Sequence, residues 1–287
     1  MADHGGSAMT QEYMSSLDET RAELSALLEL VYERTGEDFR QYKHPSMLRR
    51  VLRCVEAENA GSLHGLLDCA RRDADCLLRL RAALTLHVTS MFRDPAFFRL
   101  IKERVLPSLQ TYPYPRLWIA GCSTGQELYS YLILLDEAGL GDRCALYGTD
   151  LSDGVLDFAR AGTLDASLLE DYEAGYRLAG GQRSLREYFE IEGRYMRLRP
   201  GLLSTASFAV HNLVTDASFN EFHLISCRNV LMYLDEAAQR RALEVIHDSL
   251  VPLGFLGLGN SESLMQALHR PDYERLDPAE PLYRRVR

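Results

Sequence analysis

A glycine-bounded turn at residues 121–125 (GCSTG) follows a short apolar run, 117–120, and precedes a helical pattern. Glycines at such a turn let a ligand approach the backbone, and an acidic residue that ends the next strand can bind ribose hydroxyls. Asp150 stands at that place, 25 residues beyond Gly125, close to the interval of about 20 in dinucleotide-binding folds. The turn carries neither a full GxGxxG motif nor a phosphate-binding lysine. The pattern therefore favours a mononucleoside ligand such as S-adenosylmethionine over NAD or ATP.

Two other interpretations of this turn stay open. Glycines after a strand can simply permit a tight connection from a strand to a helix. The turn also matches the G-x-S-x-G nucleophile elbow of hydrolases, with Ser123 as the nucleophile. A hydrolase of that fold needs several strands and an oxyanion loop before the elbow, whereas the preceding part of this chain has a helical pattern throughout. The sequence therefore disfavours a hydrolase.

The elements around the turn alternate between apolar runs and helical patterns. The runs 117–120, 145–148, 222–227 and 255–258 predict strands, and Asp235 is the predicted N-cap of a following helix. This alternation predicts an α/β fold with a doubly wound, Rossmann-like sheet. The predicted order is a disordered tail (1–16), a small all-helical domain (17–84), a linker helix capped by Asp94 (85–110) and the α/β domain (111–287). An insertion at 163–210 contains a predicted small antiparallel β-subdomain, with a hairpin of 188–191 and 195–198.

Composition and charge narrow the classes of function. A net charge of −9 disfavours nucleic-acid binding, and no apolar stretch is long enough to insert into a membrane. The first residues lack the pattern of a secretory signal, so we expect a cytoplasmic protein. Six cysteines at irregular spacings and the absence of an HExxH pattern give no indication of a metal. One basic run, 39–54, contains no acidic residue and predicts either a solvated helix face or a docking face for an acidic partner.

Seven short motifs occur in one order between about residues 27 and 264. They are ERTG with YK and RR (33–50), HVTSMFRDP (87–95), AGCSTGQE (120–127), TD (149–150), HNL (211–213), CRNV with Tyr233 (227–233) and SES (261–263). Together they resemble the CheR family, the chemoreceptor glutamate O-methyltransferases. The resemblance implies that residues 111–287 form an S-adenosylmethionine-dependent methyltransferase domain. It also implies a monomeric enzyme that methylates glutamates in the cytoplasmic helical region of methyl-accepting chemotaxis receptors.

The resemblance also implies roles for individual residues. Contacts to S-adenosylmethionine are expected from nine positions: His87, Thr89, Arg93, Glu127, Asp150, Asn212, Leu213, Asn229 and Val230. Catalytic positions close to the reacting groups are expected for Arg93 and Tyr233. Because the receptor helices are acidic, substrate docking is expected from the basic run through Arg49, Arg50 and Arg53.

The chain departs from the family's pattern at a few positions, among them His87, Gln126, Leu128, His223 and Asn260. The principal cofactor positions match, so we expect an active enzyme. Two alternatives stay open: a non-catalytic adaptor that binds S-adenosylmethionine, and a methyltransferase for another protein or a small molecule. Some family members hold a peptide from the receptor's C-terminal end through a longer glycine-rich loop in the β-subdomain. The short connection at 192–194 predicts a member that works without this tether.

Overall fold

The structure, a computed structural model, describes residues 5–84, 89–264 and 270–287, with side chains from residue 17 onward. The chain divides into two compact units, Met1–Leu86 and His87–Arg287. Within the described residues, no helix combines the length and the apolar character that crossing a membrane would require.

The first unit contains helices α1 (Gly5–Thr35), α2 (His44–Ala57), α3 (Leu63–Arg72) and α4 (Ala74–Leu84). Its core collects apolar side chains at helical spacing, such as Leu27 and Val31 of α1 with Met47 and Val51 of α2. The Ser62 side chain caps α3 by accepting a hydrogen bond from the Gly65 N–H at 3.0 Å. The unit is all-helical, as its sequence pattern predicts.

Helix α1 differs from the sequence-based expectation of a disordered tail at 1–16. It begins at Gly5, well before residue 17. The segment contains no proline and carries helix-favouring residues such as Ala8, Met9 and Gln11. The small and polar composition that suggested a frayed tail is therefore also compatible with an extension of the helix.

The second unit begins with a helical segment that was predicted as a linker. Its parts are α5 (Pro95–Leu100), a π-helical turn (Ile101–Val105) and α6 (Leu106–Leu109). Phe97, Ile101 and Val105 are fully buried in the core of this unit, so the segment is a core element rather than a linker. Its apolar residues lie on the buried side at three-to-four spacing, which a linker would not require. Residues 85–88, the first residues of the predicted linker segment (85–110), lie outside the described residues.

A seven-stranded sheet forms the centre of the second unit. Its strands are β1 (Arg116–Ala120), β2 (Ala145–Asp150), β6 (Ala206–Val210), β7 (Phe222–Cys227), β8 (Leu250–Leu258), β9 (Tyr273–Arg275) and β10 (Leu282–Arg285). The order is β6-β2-β1-β7-β8-β10-β9; the first five are parallel, and β10 is antiparallel to both β8 and β9. The helices that alternate with the parallel strands are α7 (Gln126–Glu137), α8 (Asp153–Ala161) and α11 (Glu236–Ser249). The predicted doubly wound α/β fold is confirmed.

A separate three-stranded antiparallel sheet, in the order β3-β5-β4, lies within the predicted insertion. Its strands are β3 (Thr163–Asp165), β4 (Phe189–Glu192) and β5 (Tyr195–Leu198), and the helices α9 (Leu169–Leu178) and α10 (Pro200–Leu203) accompany it. The predicted hairpin is present, since Glu192 pairs with Tyr195 across the turn. The insertion ends earlier than the predicted residue 210, because β6 pairs with β2 in the main sheet. Strand β6 lies at the edge of this sheet, and most of its residues are exposed.

The parallel strands bring their carboxyl ends to one edge of the main sheet. Strand β1 ends at Ala120, β2 at Asp150, β6 at Val210 and β7 at Cys227. Each is followed by a segment that the sequence motifs single out. The fold therefore collects these motifs at one edge.

Candidate active site

The glycine turn after β1 is tightly folded against the end of β2. The backbone N–H groups of Gly121 and Cys122 both donate to the Thr149 carbonyl at 2.8 Å. Gly121 has a φ of +74°, and a Cβ there would lie 2.4 Å from Cγ2 of Val230. Gly125 has a φ of +96°, and a Cβ there would meet the Tyr129 ring at 2.6 Å. Both glycines are thus required by conformation and by space.

Two reactive side-chain types in the turn are packed rather than activated. The Ser123 Oγ is buried and has no hydrogen-bond partner among the described residues, so no histidine activates it as a hydrolase mechanism requires. Burial raises the pKa of the Cys122 thiol well above its ordinary value, which keeps this group protonated. The geometry therefore disfavours the nucleophile-elbow interpretation.

The Asp150 carboxylate connects the glycine turn with the segment that follows β2. Its Oδ2 accepts the Ser123 N–H at 2.8 Å, and its Oδ1 accepts the Leu151 N–H at 2.8 Å. The Asp150 carbonyl also accepts the N–H of His211, which follows β6, at 3.1 Å. Backbone donors from two segments thus fix an acidic group beside the turn, at the position that the sequence predicts for ribose binding.

The segment after β6 folds on itself around Asn212. The Asn212 Oδ1 accepts the Val214 N–H at 2.9 Å, and the Asn212 N–H donates to Asp216 at 2.9 Å. The preceding His211 ring packs edge-on against Trp118 of β1, with centroids 5.3 Å apart. Leu213 is buried. These contacts hold Asn212 and Leu213 at the end of β6, next in the sheet to Asp150.

A buried guanidinium, that of Arg228, joins three segments of the site. Its Nη2 donates to the Asp94 carboxylate at 2.7 Å and to the Arg93 carbonyl at 3.2 Å, and its Nη1 donates to Glu127 at 3.1 Å. The side chain is completely buried, and the guanidinium carbon lies 4.1 Å from the centroid of the Phe97 ring. A buried charge requires such partners, because its desolvation is costly. Arg228 therefore fixes the Arg93 backbone against the helix that follows the glycine turn.

Glu262 organises the loop that follows β7. Its Oε2 accepts the N–H groups of Asn229 at 2.9 Å and of Gly259 at 2.7 Å, and its Oε1 accepts the Met232 N–H at 3.1 Å. Asn229 has a φ of +59°, a conformation that costs a non-glycine residue free energy unless its surroundings fix it. The next residue, Val230, packs against Gly121 of the turn. A single carboxylate thus holds the loop of Asn229 and Val230 against the glycine turn.

Comparisons with known families agree with this architecture. Residues 87–276 match the family described as "CheR methyltransferase, SAM binding domain", and residues 22–85 match "CheR methyltransferase, all-alpha domain". The chain belongs to the CheR methyltransferase family. Its cofactor is therefore S-adenosylmethionine (SAM), and the predicted resemblance, fold and cofactor are confirmed.

Individual relatives of this CheR-family chain include several chemotaxis proteins. It is 38% identical over 272 residues to "Putative methyltransferase Cher3" of Pseudomonas putida, covering 95% of this chain and 100% of the relative. It is 35% identical over 210 residues to "Chemotaxis protein methyltransferase 1" of Pseudomonas aeruginosa, covering 69% and 73%. It is 34% identical over 244 residues to "Chemotaxis protein methyltransferase Cher2" of Pseudomonas putida, covering 80% and 84%.

The structure locates the remaining candidate residues of this CheR-family site. Thr89 and Arg93 are half-buried in the irregular segment before α5. Tyr233 is half-buried in the 3-10 turn after β7, and its N–H donates to the Val230 carbonyl at 3.2 Å. Both Glu127 oxygens are engaged, by Arg228 and by the Ser226 hydroxyl at 2.6 Å. His87 lies outside the described residues.

The predicted N-cap of α5, Asp94, has a different role. It occupies the N-cap position, but its side chain makes no capping hydrogen bond, because the carboxylate pairs with Arg228. The sequence predicts no role for Arg228 or Glu262, although they lie in the motifs CRNV and SES. A charged residue beside an apolar strand end was the available signal for Arg228. No local pattern reveals that Glu262 accepts three backbone N–H groups from separate loops.

Three of the departures from the family's pattern, Gln126, Leu128 and His223, are accommodated by ordinary packing. Leu128 is fully buried, and Gln126 accepts a hydrogen bond from the Thr124 hydroxyl at 2.7 Å. The His223 Nδ1 accepts the Arg116 N–H at 3.1 Å, and burial lowers the pKa of this imidazole. The neutral ring is therefore favoured, as its acceptor role requires. None of these three side chains disturbs the Asp150 or Arg228 contacts.

Among the predicted docking residues, Arg50 differs from its two neighbours. Arg49 and Arg53 are exposed, whereas Arg50 is only 4% exposed. Its guanidinium donates to the Leu84 carbonyl and to the Ser46 hydroxyl within the helical unit. Arg50 occurs on the apolar face of α2 with Met47, Val51 and Cys54, so its helical position accounts for its burial. Arg50 is therefore a structural residue and is removed from the predicted docking face.

Proposed function

We propose that this protein transfers the methyl group of SAM to glutamate side chains in the cytoplasmic helical region of methyl-accepting chemotaxis receptors, where it forms glutamyl methyl esters. The observation that carries the proposal is the buried Arg228 cluster, which fixes the Arg93 segment to the helix after the SAM-binding turn. Relatives named chemotaxis protein methyltransferases support the choice of substrate.

The proposed chemistry requires positioning rather than proton transfer. SAM supplies a methyl group on a sulfonium, and its in-line transfer to a carboxylate forms one O–C bond as the S–C bond breaks. A glutamate with an ordinary pKa of about 4.3 is already ionised at neutral pH, so the reaction requires no general base. The protein's task is to orient the carboxylate and to exclude water from it. The candidate residues suit this task, because none of them needs to act as a base.

Arg93 and Tyr233 are the proposed groups that orient the substrate. A guanidinium can hold a carboxylate through two parallel donors, and a phenol hydroxyl can supply one more. The Arg93 backbone is held by Arg228 at 3.2 Å, and Tyr233 follows the loop that Glu262 fixes. Both backbones are therefore anchored by buried ionic groups. Anchoring of this kind reduces the entropy that is lost when the substrate is oriented.

SAM binding is assigned in this proposal to the loops at the carboxyl ends of β1, β2, β6 and β7. Asp150 would bind the ribose hydroxyls, while the glycine turn would let the cofactor approach the backbone. The other proposed contacts come from Thr89, Arg93, Glu127, Asn212, Leu213, Asn229 and Val230, with His87 outside the described residues. Because both Glu127 oxygens already have partners, Glu127 would act partly through Arg228 and Ser226.

Receptor docking is assigned to the exposed cations of α2, Arg49 and Arg53. Receptor helices rich in glutamate carry opposite charge, so these cations would increase the rate of encounter. Their contribution should fall with ionic strength, because exposed charges are screened by salt. We propose a monomeric, cytoplasmic enzyme as the species that meets these helices.

Transfer of labelled methyl groups from SAM to purified cytoplasmic receptor fragments tests the proposal. We expect label in the fragments that is released by mild base, as a glutamyl ester requires. Asp150→Ala and Arg93→Ala serve as controls for cofactor binding and substrate orientation. Saturable SAM binding without any labelling would identify a non-catalytic adaptor. Labelling of a different protein or a small molecule would show that the fold is right and the substrate is wrong.

A further inference from the structure

Two thiols and a carboxylate meet in the helical unit, apart from the candidate active site. They belong to Glu58, which caps the end of α2, to Cys69 of α3 and to Cys76 of α4. One carboxylate oxygen and the two Sγ atoms lie within 4.8 Å of one another. The spacing of the cysteines in the sequence gave no indication of a metal, because each group comes from a different helix.

We propose that Glu58, Cys69 and Cys76 bind a divalent cation of the zinc class. Thiolates select zinc-like ions over magnesium or calcium, and a carboxylate oxygen is an accepted third ligand. Zinc–sulfur bonds of about 2.3 Å at tetrahedral angles place two sulfurs about 3.8 Å apart. Separations of at most 4.8 Å therefore need to close by only about 1 Å, which small side-chain rotations provide.

Arg79 supplies the outer contact that a metal-binding carboxylate requires. Its Nε and Nη2 donate to the two Glu58 oxygens at 2.6 and 2.8 Å, which fixes the orientation of the carboxylate. Hydrogen-bonded partners of this kind orient metal ligands in proteins. A carboxylate has about four lone-pair sites, so Glu58 can accept from Arg79 and still bind a cation.

The charges of the cluster balance in both states. Without a cation, the Glu58 carboxylate is neutralised by Arg79, and the two thiols are uncharged. On binding, two S–H bonds break, two protons leave to solvent, and two sulfur–metal bonds and one oxygen–metal bond form. The two charges of the cation replace those of the two protons. The net charge of the cluster with Arg79 is therefore unchanged, so binding buries no uncompensated charge.

The cluster is partly exposed. Cys76 is fully buried, whereas Glu58 and Cys69 are half-buried, so a cation can enter past them. The three ligands leave a fourth tetrahedral position for water. A bound cation would connect the end of α2 to α3 and α4, and thereby stabilise the helical unit against unfolding.

Cobalt titration of the full-length, reduced and metal-free protein tests this proposal. We expect one equivalent to bind and to give a thiolate-to-cobalt charge-transfer band that zinc abolishes by displacement. Cys69→Ser and Cys76→Ser should each reduce the band, and the double variant should lose it. Glu58→Gln should weaken binding at least about tenfold, since it removes a charged ligand. Cys54→Ser is the matched control, because Cys54 is a buried thiol of the same unit outside the cluster.

The outcomes are separable from folding and from methyl transfer. If a serine variant unfolds, a second experiment uses the wild-type protein. Its cysteines are alkylated with and without zinc, and mass spectrometry identifies the cysteines that zinc protects. We then expect protection of Cys69 and Cys76 and not of Cys54. A wild-type protein without the band, a double variant that keeps it, or protection confined to other cysteines would overturn the proposal. None of these measurements depends on the proposed methyl transfer.

Discussion

Two sets of ion pairs, one in each unit of the chain, hold their charged side chains in different surroundings. In the second unit, the completely buried Arg228 has two carboxylate partners, Asp94 and Glu127, and a backbone carbonyl. In the first unit, cations such as Arg72 and Arg79 remain more than half exposed, at 78% and 55%, although they also form ion pairs. The same kind of contact is therefore exposed to water at Arg72 and Arg79 and buried in the core at Arg228.

This difference determines what each charge contributes. Removing one partner of a buried pair leaves an unpaired charge in the core, at a cost of about 3–5 kcal/mol, whereas an exposed pair contributes about 0–1 kcal/mol. We therefore expect the buried Arg228 pairs of the methyltransferase unit to determine stability and site geometry. Exposed charges of the helical unit are expected to change the rate at which the protein meets its partners. The following experiments test this division, from the largest expected effect to the smallest.

Removal of Arg228 should give the largest effect. Arg228→Met leaves the Asp94 and Glu127 carboxylates without their shared cation, so we expect a loss of about 3–5 kcal/mol in the free energy of unfolding. Arg72→Ala removes an exposed pair with Asp68 and should cost less than about 1 kcal/mol. Urea unfolding of both variants measures the difference. Equal losses would show that burial does not separate the two kinds of ion pair.

Removal of the Asp150 carboxylate should give the second-largest effect, a loss of affinity for SAM. Charge-assisted hydrogen bonds to ribose hydroxyls contribute about 1.5–3 kcal/mol, so Asp150→Ala should weaken SAM binding about 10- to 150-fold. Calorimetry measures the affinity, and Asp153→Ala is a control, because Asp153 is an exposed acid on the adjacent helix α8. Unchanged affinity in a folded Asp150→Ala protein would contradict the ribose assignment.

Arg93 tests whether the site's buried network serves catalysis. Its backbone carbonyl belongs to the Arg228 cluster, so Arg93→Ala retains that contact, and we expect the variant to fold. We expect the rate of methyl transfer to fall at least about tenfold, because each 1.4 kcal/mol of lost transition-state stabilisation is a factor of ten. Single-turnover assays at saturating SAM measure the rate. The exposed neighbour Arg99→Ala is the control, and a wild-type rate for Arg93→Ala would reject the orienting role.

The sequence predicts the candidate site best where the site depends on backbone conformation. The glycine turn and Asp150 could be placed because a tight turn needs glycine and because the next strand must end beside it. Strand β6 could not be assigned to the main sheet, since it follows directly on the insertion and is an exposed edge strand. Strands β9 and β10 comprise only three and four residues, which is too short for a reliable pattern.

Side-chain contacts between distant segments were much less predictable. The partners of Arg228 come from residues more than 90 positions earlier in the chain, and those of Glu262 come from two separate loops. The burial of Arg50 was accessible in principle, because it shares the helical spacing of Met47, Val51 and Cys54. The number of basic residues in the run does not reveal this burial, whereas their positions on the helix do.

The exposed cations of α2 should have a smaller effect, limited to receptor encounter. The double charge reversal Arg49→Glu and Arg53→Glu should slow receptor methylation several-fold at low salt and reduce its dependence on ionic strength. The affinity for SAM should stay unchanged. Arg50 is left in place, because its burial would turn the experiment into a stability test. Reversal of Arg71 and Arg72, exposed on α3, controls for the change in net charge. If the two double variants behave alike, α2 is a solvated face rather than a docking face.

The β-subdomain should contribute least to receptor recognition. A receptor peptide could add itself as a strand beside β4, but this edge strand has only four residues. Glu190 and Glu192 are exposed on it, and exposed charges on an edge discourage strand addition. The turn after β4 is short, since Glu192 already pairs with Tyr195. It therefore lacks the longer loop that would supply specific contacts to a peptide.

We accordingly expect receptors with and without their C-terminal peptide to be methylated at rates equal within about twofold, a difference of less than about 0.5 kcal/mol. The free peptide should show no saturable binding in the micromolar range by calorimetry, and a scrambled peptide gives the baseline. Micromolar binding that is specific for the natural peptide would contradict this expectation. It would transfer receptor recognition from the cations of the helical unit to the edge of the β-subdomain, and the reversal of Arg49 and Arg53 should then leave methylation unchanged.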